Sequence, residues 1–242
     1  MKAPMNYEGI FRTRGARYEQ AMRNWPEARR EEFLRPLALL APGPGECVAD
    51  VPAGGGYLRR YLPDCCTWLG HEPCASFLGE GAADSALLPL PWRNASVDAA
   101  ISIAGVHHLA DKLPLFREVR RVLRPGGRFV LADVAVGSPV ALFLDGFVGR
   151  HNSTGHAGDY LGAATLEVLA AAGFEVTHSA TERYCWWFDD RRQAGDFCRL
   201  LFDVRGLDAD AVADGIEEHL GFEQQGSRLG VKWQLWVASC RS

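Results

Sequence analysis

The residues best placed to do chemistry are acids at the ends of two predicted strands, with a glycine loop after the first. Asp50 closes the short apolar run Glu46–Val51 and opens the loop Asp50-Val51-Pro52-Ala53-Gly54-Gly55-Gly56. Glu72 lies 22 residues further on, at the end of a second run, Thr67–His71. Asp84 stands in a loop five residues before Pro89. A glycine loop after a first strand lets backbone approach a ligand closely. The dinucleotide fingerprint G-x-G-x-x-G also needs a third glycine where the helix packs on the strand. Counting from Gly54 that position is Arg59, and counting from Gly56 the next position is Leu58, so the fingerprint is absent.

Asp50 points to a different ligand. A carboxylate beside the loop would repel a pyrophosphate and would hold an ammonium group through a charge-assisted hydrogen bond. S-adenosylmethionine carries such a group, together with a sulfonium cation. Asp50 could instead fix the loop as an Asx residue, and the two roles are compatible. Glu72 can accept from both hydroxyls of a ribose, a placement that serves NAD equally. Asp84 could accept from an adenine amino group or be an ordinary loop acid.

Histidines are the candidates for proton transfer. His107 and His108 follow the strand Val97–Ile103 and could act as base for an O–H or acidic C–H acceptor; a purely structural role is the alternative. The polar segment His151-Asn152-Ser153-Thr154-Gly155-His156-Ala157-Gly158-Asp159-Tyr160 brings His151, His156 and Tyr160 as acceptor contacts, or is a solvated loop. Two histidines and an aspartate there could ligate a metal, but no metal is expected. Aromatic rings can stack on a flat acceptor or bind a cation. Tyr7 and Phe11 are candidates for the acceptor side, Tyr18 for the donor side, and Trp186 for the far wall; such residues also build cores.

The elements that must position these groups alternate. Residues 1–45 read as two helices with aromatics near helical spacing, the second opening at Pro26 and ending at Pro42-Gly43-Pro44-Gly45. Beyond them, strands are expected over Glu46–Val51, Thr67–His71, Val97–Ile103, Arg128–Val134, Phe174–Val176 and Lys232–Ala238. Helices are expected over Tyr57–Leu62, 111–124 and 164–172, with a helical insertion over about 189–222. Such alternation predicts a parallel sheet with helices on both faces. The division is an N-terminal helical lid, 1–45, and a core, 46–242, whose insertion caps the acceptor side.

Composition sets the limits. The 242 residues suffice for one sizeable domain, with 48% hydrophobic and 23% charged residues and a formal net charge of −4. That charge gives no reason to expect a nucleic-acid partner. The seven cysteines are scattered, with no C-x-x-C pair, and are expected to be reduced thiols. The N-terminal residues MKAPMNYEGIFRTRG carry no apolar signal region, and no run reaches the length of a membrane span. A cytoplasmic monomer or homodimer without membrane partners is expected.

At this point several pieces fall in order. VADVPAGGGYL, WLGHEP, ADSALLPLPWRNASVDAAISIAGVHHL and LFREVRRVLRPGGRFVLADV together resemble the class I S-adenosylmethionine-dependent methyltransferases, especially the small-molecule group that includes the ubiquinone and menaquinone C-methyltransferases. The resemblance is strong over about residues 40–135. It implies a Rossmann-like α/β fold of seven strands in the order 3-2-1-4-5-7-6, the seventh antiparallel. It implies S-adenosylmethionine bound by Asp50, Pro52, Ala53, Gly54, Gly56 and Glu72. Asp84 and Ser85 would face the adenine, and Ser102–Gly105, with Ile103 and Ala104, would pass the methionine moiety. Pro52 departs from the family's usual first glycine; proline lacks an N–H and cannot take positive φ. The implied activity is in-line transfer of a methyl group to a small organic molecule. A non-catalytic S-adenosylmethionine-binding protein and a nicotinamide-dependent oxidoreductase are the competing readings.

Overall fold

The structure, a computed structural model, describes residues 7–79 and 81–242. Helix α1 (Tyr7–Asn24) buries Tyr7, Ile10, Phe11, Arg14, Ala21 and Met22 along one stripe, the i, i+3, i+4, i+7 spacing that a helix needs to present one face. Ile10, Phe11 and Met22 each contribute roughly 2 kcal/mol by leaving water. Pro26 to Arg29 form a turn, and α2 (Arg30–Leu40) starts four residues later than the proline suggests. It ends at Ala41, whose backbone is left-handed and whose N–H donates to the Leu37 carbonyl, a C-cap of the αL kind.

Seven strands follow: β1 (Cys47–Asp50), β2 (Thr67–Gly70), β3 (Val97–Ile103), β4 (Leu123–Asp133), β5 (Glu175–Phe188), β6 (Phe222–Gln225) and β7 (Arg228–Arg241). Their order is β2-β1-β3-β4-β7-β5, with β6 paired to β7. β1 to β4 are mutually parallel, and β7 runs antiparallel between β4 and β5. This is the Rossmann-like mixed sheet with an antiparallel last strand that the sequence led us to expect. Its seventh member is the short β6, a hairpin partner of β7. Among the described residues the chain between β2 and β3 adds only a 3₁₀ turn, Ala75–Phe77.

The central strands β1, β3 and β4 are buried on both faces, and alternation divides their side chains. Val48, Ala99, Ile101, Val130, Ala132 and Val237 join the core shared with α2 and the C-terminal helices. Ala49, Ala100, Phe129, Leu131 and Ala238 join the opposite core with α3 (Leu113–Val122) and, after α4 (Pro139–Leu142) and α5 (Gly149–His151), α6 (Ala163–Ala171). β4 begins at Leu123 rather than Arg128, because Leu123 already pairs with Val97 before Pro125-Gly126-Gly127 bulge out. The helix expected over Tyr57–Leu62 is only a 3₁₀ turn, Tyr57–Arg60, with Pro63 closing off any continuation. β5 runs 14 residues, far beyond the expected Phe174–Val176, since β7 supplies a partner along its whole length.

The insertion between β5 and β6 holds α7 (Arg191–Leu201) and α8 (Ala209–His219), each opened by an aspartate cap. Asp190 accepts from the Gln193 N–H at 2.8 Å and Asp208 from the Ala211 N–H at 2.9 Å. Both helices fall within the expected 189–222, as α1 and α2 fall within 1–45. Among the described residues no helix is long and apolar enough to cross a membrane.

Candidate functional site

The carboxyl ends of β1 and β3 open into a recess in which Asp50, Pro52, Ala53, Gly54, Ile103 and Ala104 meet Tyr7, Phe11 and Tyr18 of α1. Topology puts it there: the parallel strands stop together and their loops diverge, the usual ligand crevice of an open α/β sheet. Gly54 and Gly56 have φ of +53° and +73°, so a side chain at either would be strained. Ala104, on the opposite wall, holds φ of +51° without that excuse, and its N–H donates to the Ala132 carbonyl at 2.8 Å. Such strain in a non-glycine residue is held by its surroundings and is concentrated at functional sites. Pro52 follows a cis peptide bond and packs against Gly105, where a Cβ would come within 2.6 Å of its ring.

Asp50 lines this recess, and a second buried acid, Glu72, stands behind its lining residues Tyr7 and Gly54. Asp50 is 4% exposed and accepts from the Trp68 indole N–H at 3.1 Å. Burial pushes its carboxyl up to about 7, the Trp68 bond opposing and nearby Glu72 adding to the rise. Glu72 is also buried; one oxygen accepts from the Tyr7 hydroxyl and the Gly54 N–H, both at 2.8 Å, the other from the Cys74 N–H at 2.9 Å. Burial raises its carboxyl too, against those three bonds. One glycine loop therefore joins the two strand-end acids.

A second recess adjoins the first across Phe11, Tyr18, Arg29 and Ala104. Its lining includes His107, His108, His156 and Trp186. His107 lies in a 3₁₀ turn after β3, and its Nδ1 is 2.7 Å from Asp133 Oδ1 at the end of β4. Asp133 is fully buried and also accepts from the His107 and Val134 N–H groups. Burial alone would raise its carboxyl, but His107 and those bonds hold it below the usual carboxylate range. His156 Nδ1 is 2.9 Å from Asp145 Oδ1, which also accepts from the Tyr160 hydroxyl at 2.6 Å. Burial holds His156 down to about 4 and His108 well below the ordinary imidazole value. Both rings are thereby kept neutral at pH 7. One ring nitrogen from each of the three histidines lies within 4.8 Å of the others, an arrangement that could take a divalent ion. The Arg14 guanidinium shares this recess and opposes a cation there.

Other expected residues lie elsewhere. Asp84 is exposed; it accepts from the Ala75 N–H at 3.0 Å and pairs with Arg12 at 2.9 Å, which lower its carboxyl in that order. Ser85 is exposed and its N–H donates to the Pro73 carbonyl. Neither lines either recess. His151 packs on Phe147, ring centroids 5.2 Å apart, away from both. The sequence reading missed Arg14, Arg29 and Asp133. Arg29 is buried, paired with Glu32 and bonded to the Tyr18 hydroxyl, and Glu32 in turn accepts from the Trp186 indole at 2.7 Å. Arg14 had a visible signal: a charged residue on the apolar stripe of α1, three residues from Phe11 and seven from Tyr7.

Comparison with known proteins bears on the same region. Residues 49–131 match the model of a methyltransferase domain. The chain is 41% identical over 59 residues to 27-O-demethylrifamycin SV methyltransferase of Amycolatopsis mediterranei, covering 24% of this chain and 22% of that one. It is 23% identical to the malonyl-[acyl-carrier protein] O-methyltransferase of a Marinomonas species, over 97% of this chain and 93% of that one. Against the first three curated relatives it matches, the chain spans only 22% to 49% of their length. Among solved structures, an S-adenosylmethionine-dependent methyltransferase from Mesorhizobium loti superposes with a TM-score of 0.51 at 20% identity, over 92% of this chain and 98% of that one, a likeness of fold.

Proposed function

We propose that the chain, whose residues 49–131 match the model of a methyltransferase domain, transfers the methyl group of S-adenosylmethionine to a small organic acceptor. The observation that carries this reading is the pair of buried carboxylates, Asp50 and Glu72, held at one glycine loop. A buried acid with a carboxyl raised to about 7 lacks a cationic partner, and an ammonium group supplies one.

In this reading Asp50 holds the ammonium end of the cofactor. Glu72 takes the ribose hydroxyls in place of the Tyr7 hydroxyl it now accepts from. Gly54 and Gly56 let backbone approach, and Ile103 and Ala104 flank the methionine chain. Tyr18 and Phe77, with ring centroids 5.5 Å apart, offer aromatic packing on the same side. Asp84 and Ser85 remain candidates for the adenine, reached from the rim. The cofactor supplies a methyl group already activated by its sulfonium, so positioning and exclusion of water carry much of the rate. The adjoining recess then holds the acceptor, with Phe11, Trp186 and His156 in its wall and Tyr160 behind His156. His107, oriented by Asp133, is the group placed to take a proton where the acceptor must lose one. Helices α1 and α2 act as the lid, α7 and α8 as the cap.

The test has two stages. Calorimetry should show S-adenosylhomocysteine binding more tightly than NAD; tighter NAD binding would replace the cofactor assignment with a nicotinamide one. Incubation with S-adenosylmethionine and a pooled metabolite extract should then release S-adenosylhomocysteine. Binding without release would make the chain a non-catalytic binding protein.

A further inference from the structure

We propose that Arg14 recognises a carboxylate on the methyl acceptor, in a recess whose walls fit a flat apolar body. The inference rests on the methyl-transfer reading and names the acceptor class for that site.

Arg14 is 3% exposed, and its Nε and Nη1 are buried with no hydrogen-bond partner. Its guanidinium lies over the Phe11 ring, 5.9 Å from the centroid, but burying two guanidinium nitrogens without acceptors is costly, so a residue kept there needs a reason other than packing. The charge of Asp203 offsets part of that cost, but no hydrogen bond or ion pair joins it to Arg14, so the Arg14 donors stay unmet. Asp203 is fully buried, but it already pairs with Arg17 at 3.1 Å and Arg205 at 2.7 Å and accepts from the Ser153 hydroxyl. The other guanidinium of the recess, Arg29, is occupied by Glu32 and Tyr18. Arg14 is thus the cation of this recess with donors to spare. The Trp233 indole N–H, on the same lining, is a second buried donor without an acceptor. Unmet groups that are donors call for a ligand that brings acceptors, and a cation among them calls for negative charge. One available guanidinium matches the single charge of a carboxylate better than the double charge of a phosphate monoester.

The walls describe the rest of the molecule. Trp186 stacks on Trp233 with ring centroids 3.9 Å apart, and Phe202 lies nearly parallel to both, at 6.3 and 6.1 Å. Trp186 and Trp233 cover each other's inner faces, and the aromatic wall they form with Phe202 and Phe11 receives a flat apolar guest by edge or offset contact. The recess shares Phe11 and Ala104 with the donor side, so a molecule anchored at Arg14 lies beside the proposed methyl donor.

The probes are benzoate, 4-hydroxybenzoate and cinnamate, their primary amides, and phenyl phosphate. They are titrated into the full chain loaded with S-adenosylhomocysteine and read by tryptophan fluorescence and calorimetry. At least one carboxylate should bind tenfold or more tightly than its amide. Arg14→Met should abolish that difference, leave the affinity for S-adenosylhomocysteine within twofold, and raise the melting temperature of the ligand-free chain. Equal binding of acid and amide, or unchanged carboxylate binding in Arg14→Met, overturns the inference. Preference for phenyl phosphate overturns the carboxylate assignment. Binding of S-adenosylhomocysteine without binding of any carboxylate overturns the inference and leaves the methyl-transfer reading standing. Should S-adenosylhomocysteine itself not bind, that reading falls, and the acid-against-amide comparison on the unloaded chain still decides the role of Arg14. Should Arg14→Met not fold, the same comparison in the unaltered chain decides it.

Discussion

The two recesses share a wall of Phe11, Tyr18, Arg29 and Ala104, yet their polar groups are in opposite states. On the side of Asp50 the under-partnered group is an acid at a strand end, which has one hydrogen bond, from Trp68, and no cationic partner. On the side of Arg14 and Trp233 the unmet groups are donors, and they sit on side chains from α1 and the long β7. A site for a fixed cofactor can be built from the backbone framework, which does not vary with the guest. A site for a particular acceptor has to be assembled from whichever side chains the lid and cap bring over it.

The comparison is broken most severely at the residue that supports His107. Asp133→Asn replaces an acceptor of three N–H bonds with an amide that must turn one donor toward them. Urea unfolding should show a loss of about 3–5 kcal/mol, the range for breaking a buried pair. The carboxyl of Asp133 is held below its unfolded value, so its contribution is present above pH ~4 and fades as pH falls through the lowered value. The difference between wild type and Asp133→Asn should therefore shrink in acid.

A smaller effect separates the two recesses. Glu72→Gln keeps the shape but removes the charge, and should weaken S-adenosylhomocysteine by roughly 2 kcal/mol, about 30-fold, in calorimetry. Carboxylate binding in the second recess should stay as it was. The smallest effect belongs to the rim. Arg12→Ala removes an exposed ion pair with Asp84, and thermal melting should move by less than about one degree. A large loss of S-adenosylhomocysteine affinity in that variant would bring Asp84 into the site from the rim.

What the sequence made legible follows the same division. Asp50, the glycine loop and Glu72 were readable because their placement is local: a strand end fixes where an acid points, and a 22-residue spacing fixes the next strand end. The alternation of strands and helices predicted a parallel sheet, and its strand order came from the resemblance to the class I methyltransferases. β6 escaped, since Phe-Glu-Gln-Gln shows no apolar alternation and forms only because β7 offers an edge. Arg29 and Trp186 were unreadable as partners because 157 residues separate them and Glu32 links them only in the folded chain. His151 and His156 stand five residues apart, yet one turns to Phe147 and the other into the recess; the helix ends at His151 and a turn with Gly155 at φ of +74° lies between them, which no spacing rule reports. Arg14 was legible in principle, as a charge on an apolar stripe.

The central claim is that Asp50 waits for an ammonium group. Its carboxyl is raised from 3.8 to about 7, so in the ligand-free chain it favours folding below pH ~4 and that contribution is lost as pH rises through about 7. Asp50→Asn should accordingly melt higher than wild type at pH 8. The most direct measurement is calorimetric titration of S-adenosylhomocysteine into both proteins from pH 6 to 8, in buffers of different ionisation enthalpy. Wild type should release about half a proton per ligand bound at pH 7 and lose affinity as pH falls. Asp50→Asn should bind roughly a hundredfold more weakly at pH 8 and release none. Equal affinity in the two proteins, with no proton released by either, would contradict the account.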